Sequence, residues 1–269
     1  MVLLFVCIFL FSTSNYCFAA QDKNETAVMG EQGDIDENAS AFEEDEFEDD
    51  DWLDEELQEI ADPLEPVNRL FFYFNDKLYY LVLKPVATLY SRVVAKDIRI
   101  CVRNVFDNLL APVRVVNNLL QGKGKNSFIE TQRFVVNSTL GILGCGDVAK
   151  SEFGWVAKDE DLGQTLGYYG SGPGFYINWP FLGPSNMRDT IGLIGDGFLD
   201  PISYLTDGDL WAIAAVRSGK MVNKVSLTLG DYELFTETAL DPYAAVRDAY
   251  SQYRQGRIDD KEQTEEKPF

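Results

Sequence analysis

From Asp62 onward, apolar residues recur at helical rather than strand spacing. Val67, Leu70, Phe71, Phe74, Leu78, Leu81 and Val82 follow the three-to-four-residue repeat of one helix face. The other faces carry Phe72, Tyr73, Tyr79, Tyr80 and Leu83, so the predicted helix is apolar all round, the pattern of a helix that is buried or touches lipid. Asp62-Pro63 with Pro66 predicts its start, an aspartate cap with prolines in the first turn. Pro85 predicts a break or kink, followed by a short helix over 85–94. Further helices are expected over 97–110, over 113–120 behind Pro112, and over 127–140, with Gln121-Gly122-Lys123-Gly124 as the stop between the last two. Between Gly141 and Gly197 glycines crowd the chain, with Gly167, Gly170, Gly172 and Gly174 close together, which predicts loops and close backbone approaches instead of long helices. Helices return over 209–223 and 242–253, with Ser226 to Leu229 a separate piece. The expected fold class is mainly α: a bundle of short amphipathic and apolar helices with a Gly-rich loop region, preceded by a disordered acidic segment.

The N-terminal part has a different texture. Val2 to Phe11 is an apolar run too short to span a bilayer and of the right length for a signal-peptide core. Cys17 and Ala19 supply small residues for cleavage after Ala19, so 1–19 is expected to be a signal peptide. Cys17 is a poor lipidation site, because Tyr16 precedes it directly and Ser14 stands three places before it. Residues 20–61 hold nearly half of the chain's acidic residues against the single Lys23, and so dense a like charge predicts a disordered spacer. The body is expected over 62–253, with a polar, disordered tail over 254–269. In an exported chain Cys101 and Cys145 pair only if the fold brings them together; two buried free thiols are the simpler expectation.

The chain of 269 residues has 23 Lys+Arg against 44 Asp+Glu, a net charge of -21, and no histidine. Histidine-based triads, His-ligated metals and imidazole proton switches are thereby excluded. The acidic balance argues against a grip on nucleic acid. Gly141, Gly144 and Gly146 do not have the dinucleotide spacing, Gly122-Lys123-Gly124-Lys125 is not a phosphate loop, and Ser171 between glycines lacks a nucleophile elbow. Asp159-Glu160-Asp161 reads as a solvated triplet. No cofactor, no metal and no enzymatic reaction are expected.

Several stretches carry a family likeness: Asp62-Pro63-Leu64-Glu65-Pro66-Val67-Asn68-Arg69, Phe74-Asn75, Lys84-Pro85-Val86-Ala87, Arg103-Asn104-Val105-Phe106-Asp107-Asn108, Arg133-Phe134-Val135-Val136-Asn137, Asp161-Leu162-Gly163-Gln164-Thr165-Leu166-Gly167, Arg188-Asp189, and Asp241-Pro242-Tyr243 with Val246-Arg247-Asp248-Ala249-Tyr250. In this order they resemble the MlaA (VacJ) family of outer-membrane lipoproteins. The resemblance implies a ring-like helical protein in the inner, periplasmic leaflet of a Gram-negative outer membrane. It implies removal of mislocalised phospholipid from the outer leaflet through an amphipathic channel, beside a trimeric porin, with delivery to an MlaC-like periplasmic carrier. On this basis Asn137, Gln164, Gly170, Gly172, Gly174, Arg188 and Asp189 are expected along the lipid path or fixing the ring. Phe74 and Asn75 are candidates for a kink that controls channel closure. The alternative reading is a scaffold that holds porin and moves no lipid. The chain departs from the family in its weak lipidation site and its long acidic spacer.

Overall fold

The long apolar stretch forms helix without a break at Pro85. The computed structural model describes residues 60–259, in which α1 (Glu65–Leu78) passes into a π-helical turn (Tyr79–Leu83) and then into α2 (Lys84–Val93). In this wide turn the Lys84 N–H reaches back to the Tyr79 carbonyl. It precedes the proline directly and relieves the clash that Pro85 makes with a regular preceding turn. Asp62 does not cap α1 as expected. Leu64 holds the cap position with no side-chain bond, and the Asp62 carboxylate accepts instead from Asn68 Nδ2 (2.8 Å) and the Tyr243 hydroxyl.

Next come α3 (Lys96–Leu109), α4 (Ala111–Leu120) and α5 (Gly124–Thr139), close to the expected spans. Gly122, in the left-handed region at φ 75°, makes the turn between α4 and α5. The glycine-dense region holds more regular structure than its composition predicts. It contains α6 (Val148–Phe153), α7 (Leu162–Tyr168), the strands β1 (Tyr176–Trp179) and β2 (Gly183–Asn186), and α8 (Met187–Asp196). The strands pair antiparallel, with Tyr176 opposite Asn186 and Trp179 opposite Gly183. Asp147, Asp161 and Asn186 each accept a first-turn N–H, so these short helices start on Asx caps.

The chain continues through α9 (Pro201–Leu205), α10 (Leu210–Leu227), α11 (Asp231–Thr238) and α12 (Pro242–Asp259). Two expected boundaries are corrected. α10 absorbs Ser226 and Leu227, because Asn223 Nδ2 donates to the Arg99 carbonyl (2.9 Å) while Arg99 donates to the Ser226 carbonyl, which keeps that turn helical against α3. α12 runs to Asp259, and Arg254, expected at the head of a disordered tail, is buried. Cys101 and Cys145 are joined by a disulfide, their Cα atoms 4.2 Å apart, which corrects the expectation of two free thiols. The expected signal peptide, Cys17, the expected spacer up to residue 59 and the tail after 259 lie outside the described residues.

Packing follows a closed circuit. α1 packs on the hairpin, β2 on α8, α8 on α7, α7 on α4, α4 on α3, α3 on α10 and α10 on α2, which returns through the π turn to α1. α12 lies against α7 and β2. The main apolar core is small: Phe72, Tyr176 and Tyr243 meet edge to face, with Ile60, Val246 and Tyr250 around them. Elsewhere the usual distribution is reversed. Among the described residues, buried polar and charged side chains far outnumber buried apolar ones. Large apolar side chains stand outside, with Leu81 74%, Val93 76%, Ile142 77%, Phe198 73% and Leu205 72% exposed. Among the described residues, no helix is long and apolar enough to cross a membrane.

Candidate functional site

Three of the sequence candidates meet where α7, α8 and α12 converge. Asp161 caps α7, accepting the Gln164 N–H at 2.8 Å, and Arg254 of α12 reaches it through Nη1 (2.6 Å) and Nη2 (2.9 Å). The same guanidinium donates to Asp189 at the start of α8, Nε to Oδ2 at 2.7 Å and Nη2 to Oδ1 at 2.8 Å. Asp189 also accepts from the Tyr250 hydroxyl (2.7 Å), Asn186 Nδ2 (2.8 Å) and Arg188 Nε (3.1 Å). Burial pushes the Asp161 carboxyl up, but the Arg254 hydrogen bonds and charge more than offset it and hold Asp161 well below the usual carboxylate range. Burial acts downward on Arg254, and its carboxylate partners raise it above an ordinary guanidinium. One arginine therefore ties two helix N-termini together, and both anions also face the positive ends of those helices.

Glycine permits this meeting. A Cβ on Gly163 would stand 2.5 Å from Asp189 Oδ1, and one on Gly192 would stand 2.3 Å from the Gly163 nitrogen, so α7 and α8 touch backbone to backbone. Gln164 is buried in the same cluster, its Nε2 donating to Asp161 (3.0 Å), while its Oε1 finds no partner among the described residues. Gly170 and Gly172 lie outside, exposed and with open space around them, and Gly174 turns the chain at φ 69° against Met187. These three shape the loop between α7 and β1 and do not join the cluster.

Asn137 belongs elsewhere. Its Nδ2 donates to Asp147 (2.9 Å) and its Oδ1 accepts the Ala149 N–H (2.9 Å), which fixes the start of α6 on α5. Arg133, one turn earlier, forks onto both oxygens of Asp147 at 3.1 Å. Nearby, fully buried Glu130 accepts from Arg114 Nε (2.6 Å) and the Lys158 N–H (2.6 Å). A further polar chain joins α4 to α7 and α8: Thr165 donates to Asn117, and Asn117 donates to Asp196 at 2.8 Å. Burial raises the Asp196 carboxyl to about 6 against the pull of the Leu162 N–H and Asn117.

Phe74 and Asn75 sit in the regular part of α1, and the helix irregularity lies at Tyr79–Leu83, so the kink expected at the pair is corrected. The two side chains hold the hairpin. Asn75 Nδ2 donates to the Trp179 carbonyl (2.9 Å) and its Oδ1 accepts the Phe181 N–H (2.7 Å), while the Phe74 and Phe181 rings meet edge to face at 5.0 Å. Two turns earlier on the same helix, Asn68 accepts the Asn178 N–H (2.9 Å) and donates to the Tyr176 carbonyl (3.1 Å). The spacing of Asn68 and Asn75 along one face was the readable signal for this clasp. Asp161 and Tyr250 stand in family-like stretches but not among the site candidates, and Arg254 lies outside those stretches; only the helical spacing of Tyr243, Arg247, Tyr250 and Arg254 pointed to a shared polar face.

A different polar pair lies at the contact of α3 and α10. Asp107 is exposed and Lys220 half-exposed, yet burial by the surrounding protein raises the carboxyl and lowers the ammonium. Among the described residues no group of three or more His, Cys, Asp or Glu could hold a metal ion.

Comparison with known proteins follows the same span. The family model described as MlaA lipoprotein matches residues 60–257. The Escherichia coli (strain K12) intermembrane phospholipid transport system lipoprotein MlaA is 33% identical over 195 residues, covering 71% of this chain and 76% of its own. The protein of the same description from Haemophilus influenzae is 31% identical over 216 residues, covering 79% and 85%. An uncharacterised Rickettsia prowazekii protein is 35% identical over 204 residues, covering 74% and 79%. A solved structure described as the structural basis for maintenance of bacterial outer membrane lipid asymmetry superposes with a TM-score of 0.65 at 31% identity, covering 74% of this chain and 99% of the other.

Proposed function

The chain belongs to the MlaA lipoprotein family, and from that premise we propose that it removes mislocalised phospholipid from the outer leaflet of a Gram-negative outer membrane and releases it on the periplasmic side. The observation that carries this reading is the reversed distribution of side chains: polar groups paired inside, large apolar groups outside. A water-soluble domain of this size gains its stability from an apolar core and loses free energy for every unpaired buried polar group. A chain that sits in one lipid leaflet has its apolar contacts supplied from outside and needs internal polar pairing to hold its shape. Each apolar side chain transferred from water to lipid contributes about 1.5–3 kcal/mol. A handful of the exposed ones thus exceeds the marginal hold of one acyl chain, and retention does not depend on lipidation of Cys17.

In this reading the closed packing circuit is the frame of the channel. The Arg254 and Asn137 clusters keep its helices in place, and the Gly170 to Gly174 loop and the Phe74–Asn75 clasp on the hairpin border the lipid route. Headgroups take a polar passage through the frame while acyl chains keep to apolar faces. The protein does no covalent chemistry on the lipid. A trimeric porin beside it and an MlaC-like carrier in the periplasm complete the path.

The test is a reconstituted transfer assay, with the full chain in liposomes beside porin and a periplasmic carrier, paired with deletion in the native bacterium. Carrier loading in vitro and a rise of outer-leaflet phospholipid with detergent sensitivity in the deletion strain are expected. Co-purification with porin but no lipid transfer and no change in asymmetry would replace this reading with that of a porin-holding scaffold.

A further inference from the structure

The loop between α5 and α6 uses two unfavourable backbone positions to hold apolar side chains outward. Ile142 (φ 53°) and Leu143 (φ 58°) both stand in the left-handed region, where a β-branched or bulky residue is an outlier. Glycine or asparagine would sit there with less strain. With Leu140 they are largely exposed, so three aliphatic side chains share one short tip. Phe128 and Val135, two turns apart on one face of α5, are exposed as well. Strain of this kind persists only where the surrounding structure holds it in place.

The hold here comes from α3 and from the loop itself. Cys145 is bonded to Cys101, Asn104 Nδ2 donates to the Cys145 carbonyl (3.0 Å), and Asn108 Nδ2 donates to Ser138 Oγ (2.9 Å). A Cβ on Gly144 would stand 2.6 Å from Asn108 Cβ, so the loop lies directly on α3. The loop also pairs its own donors. The N–H groups of Leu140 and Gly141 reach the Val136 carbonyl, Leu143 reaches Ser138, Gly144 reaches Asn137, Cys145 reaches Ile142 and Gly146 reaches Gly141. Among the described residues, only the Ile142 N–H of this stretch makes no such bond. At the foot of the tip, the exposed Arg103 guanidinium donates to Asn104 Oδ1 through Nε (3.3 Å) and Nη2 (3.2 Å).

Water would satisfy the donors of an exposed loop, whereas beside hydrocarbon each unpaired N–H costs free energy. A protein contact centres on tryptophan, tyrosine or arginine with polar groups around it; this tip offers leucine and isoleucine, with its N–H groups already engaged. An apolar tip above a cation matches the boundary of a lipid leaflet, acyl chains on one side and phosphates on the other. We propose that Leu140, Ile142 and Leu143 form a rigid insertion tip that sinks its side chains into the acyl region of a leaflet, with Arg103 at the headgroup phosphates. The proposal rests on the membrane setting of the phospholipid-transport reading. It deepens that reading by naming a point of attachment that needs neither an acyl group on Cys17 nor a membrane-crossing helix.

The experiment floats the full chain with vesicles of phosphatidylethanolamine and phosphatidylglycerol after removal of detergent. Wild-type protein should bind. Ile142→Asn combined with Leu143→Asn should weaken the partition into vesicles by about tenfold, the scale of one aliphatic side chain kept in water. Its thermal midpoint in detergent should not fall, because asparagine tolerates the left-handed region. Arg103→Gln should weaken binding about fivefold. A phosphatidylethanolamine with a diazirine on its acyl chain should cross-link wild-type protein at residues 140–143, mapped by mass spectrometry. Unchanged binding by the folded double asparagine variant, or cross-links that avoid the tip, would overturn the insertion tip and leave lipid transport standing. A tip that cross-links to added porin and not to lipid would overturn it in favour of a protein contact, and unchanged binding by Arg103→Gln would overturn the arginine's part. Wild-type protein that binds no vesicles would overturn the transport reading itself.

Discussion

The α7–α8–α12 junction and the α3–α10 contact both hold opposite charges on neighbouring helices, and they treat them in opposite ways. At the junction, Arg254 serves Asp161 and Asp189 through four short bonds, and Tyr250 and Asn186 take up further acceptor capacity. At the α3–α10 contact, exposed Asp107 and half-exposed Lys220 make no side-chain hydrogen bond or ion pair among the described residues, while Arg114 and Arg217 each reach a carboxylate. A cluster whose charges are all paired holds helices in place and leaves no ionised group for a ligand. An unsaturated pair adds little to the fold and keeps its capacity for something that arrives. Burial alone does not mark a ligand site, since Arg188 and Asp189 are deeply buried and committed to partners within the protein.

The comparison breaks first at Arg254. Arg254→Ala strands buried Asp189 and half-buried Asp161, and removing one partner of a buried ion pair costs about 3–5 kcal/mol; denaturant unfolding of the variant in detergent should show a loss of that order. If the midpoint moves no more than for a surface change, the junction is not the frame. Gly192→Ala comes next. A methyl 2.3 Å from the Gly163 nitrogen forces α7 and α8 apart, and overpacking of this kind costs about 1–3 kcal/mol, read from the same unfolding curves.

Acid sharpens the contrast within the framework. The Asp161 carboxyl is depressed in the folded state, so the stability it contributes is fully present above the unfolded carboxylate value of about 3.9 and is lost as pH falls below it. Asp196 is raised to about 6, so it has the opposite sign. The folded form binds the proton more tightly, and stability declines as pH rises through the window up to about 6. Asp196→Asn should flatten that decline in melts taken between about pH 4 and 7; an unchanged slope would remove Asp196 as its source. The smallest effect belongs to Asp107→Asn. With no internal partner to lose, it should alter stability by no more than about 0.5 kcal/mol in the unfolding assay that registers Arg254→Ala.

How much of this was legible follows from the range of the interactions. The helices rest on local apolar spacing, and α3, α4 and α5 fall close to where Ile98, Val113 and Phe134 put them. The π turn was not legible, because Pro85 reports a backbone irregularity without saying whether the chain breaks or widens. Asp62 has the sequence appearance of a cap, but its bonds go to Asn68 and to Tyr243, a residue far along the chain, and spacing carries no trace of such a contact. The hairpin was hidden for a similar reason: Gly183-Pro184-Ser185-Asn186 has little strand propensity and is held by register with β1 and by α1. In the candidate cluster, Gln164, Arg188 and Asp189 were found through the resemblance. Arg254 was not, because a polar residue near a polar terminus reads as solvated until its partners are known.

The Cys101–Cys145 bond spans 44 residues and so closes α3, α4 and α5 into one covalent loop. In the chain-entropy picture a closure of this length disfavours the unfolded chain by about 4 kcal/mol, which makes this lobe the part best protected against unravelling. A chain matured where thiols stay reduced would lose this staple while the Arg254 junction, which contains no sulfur, kept its bonds.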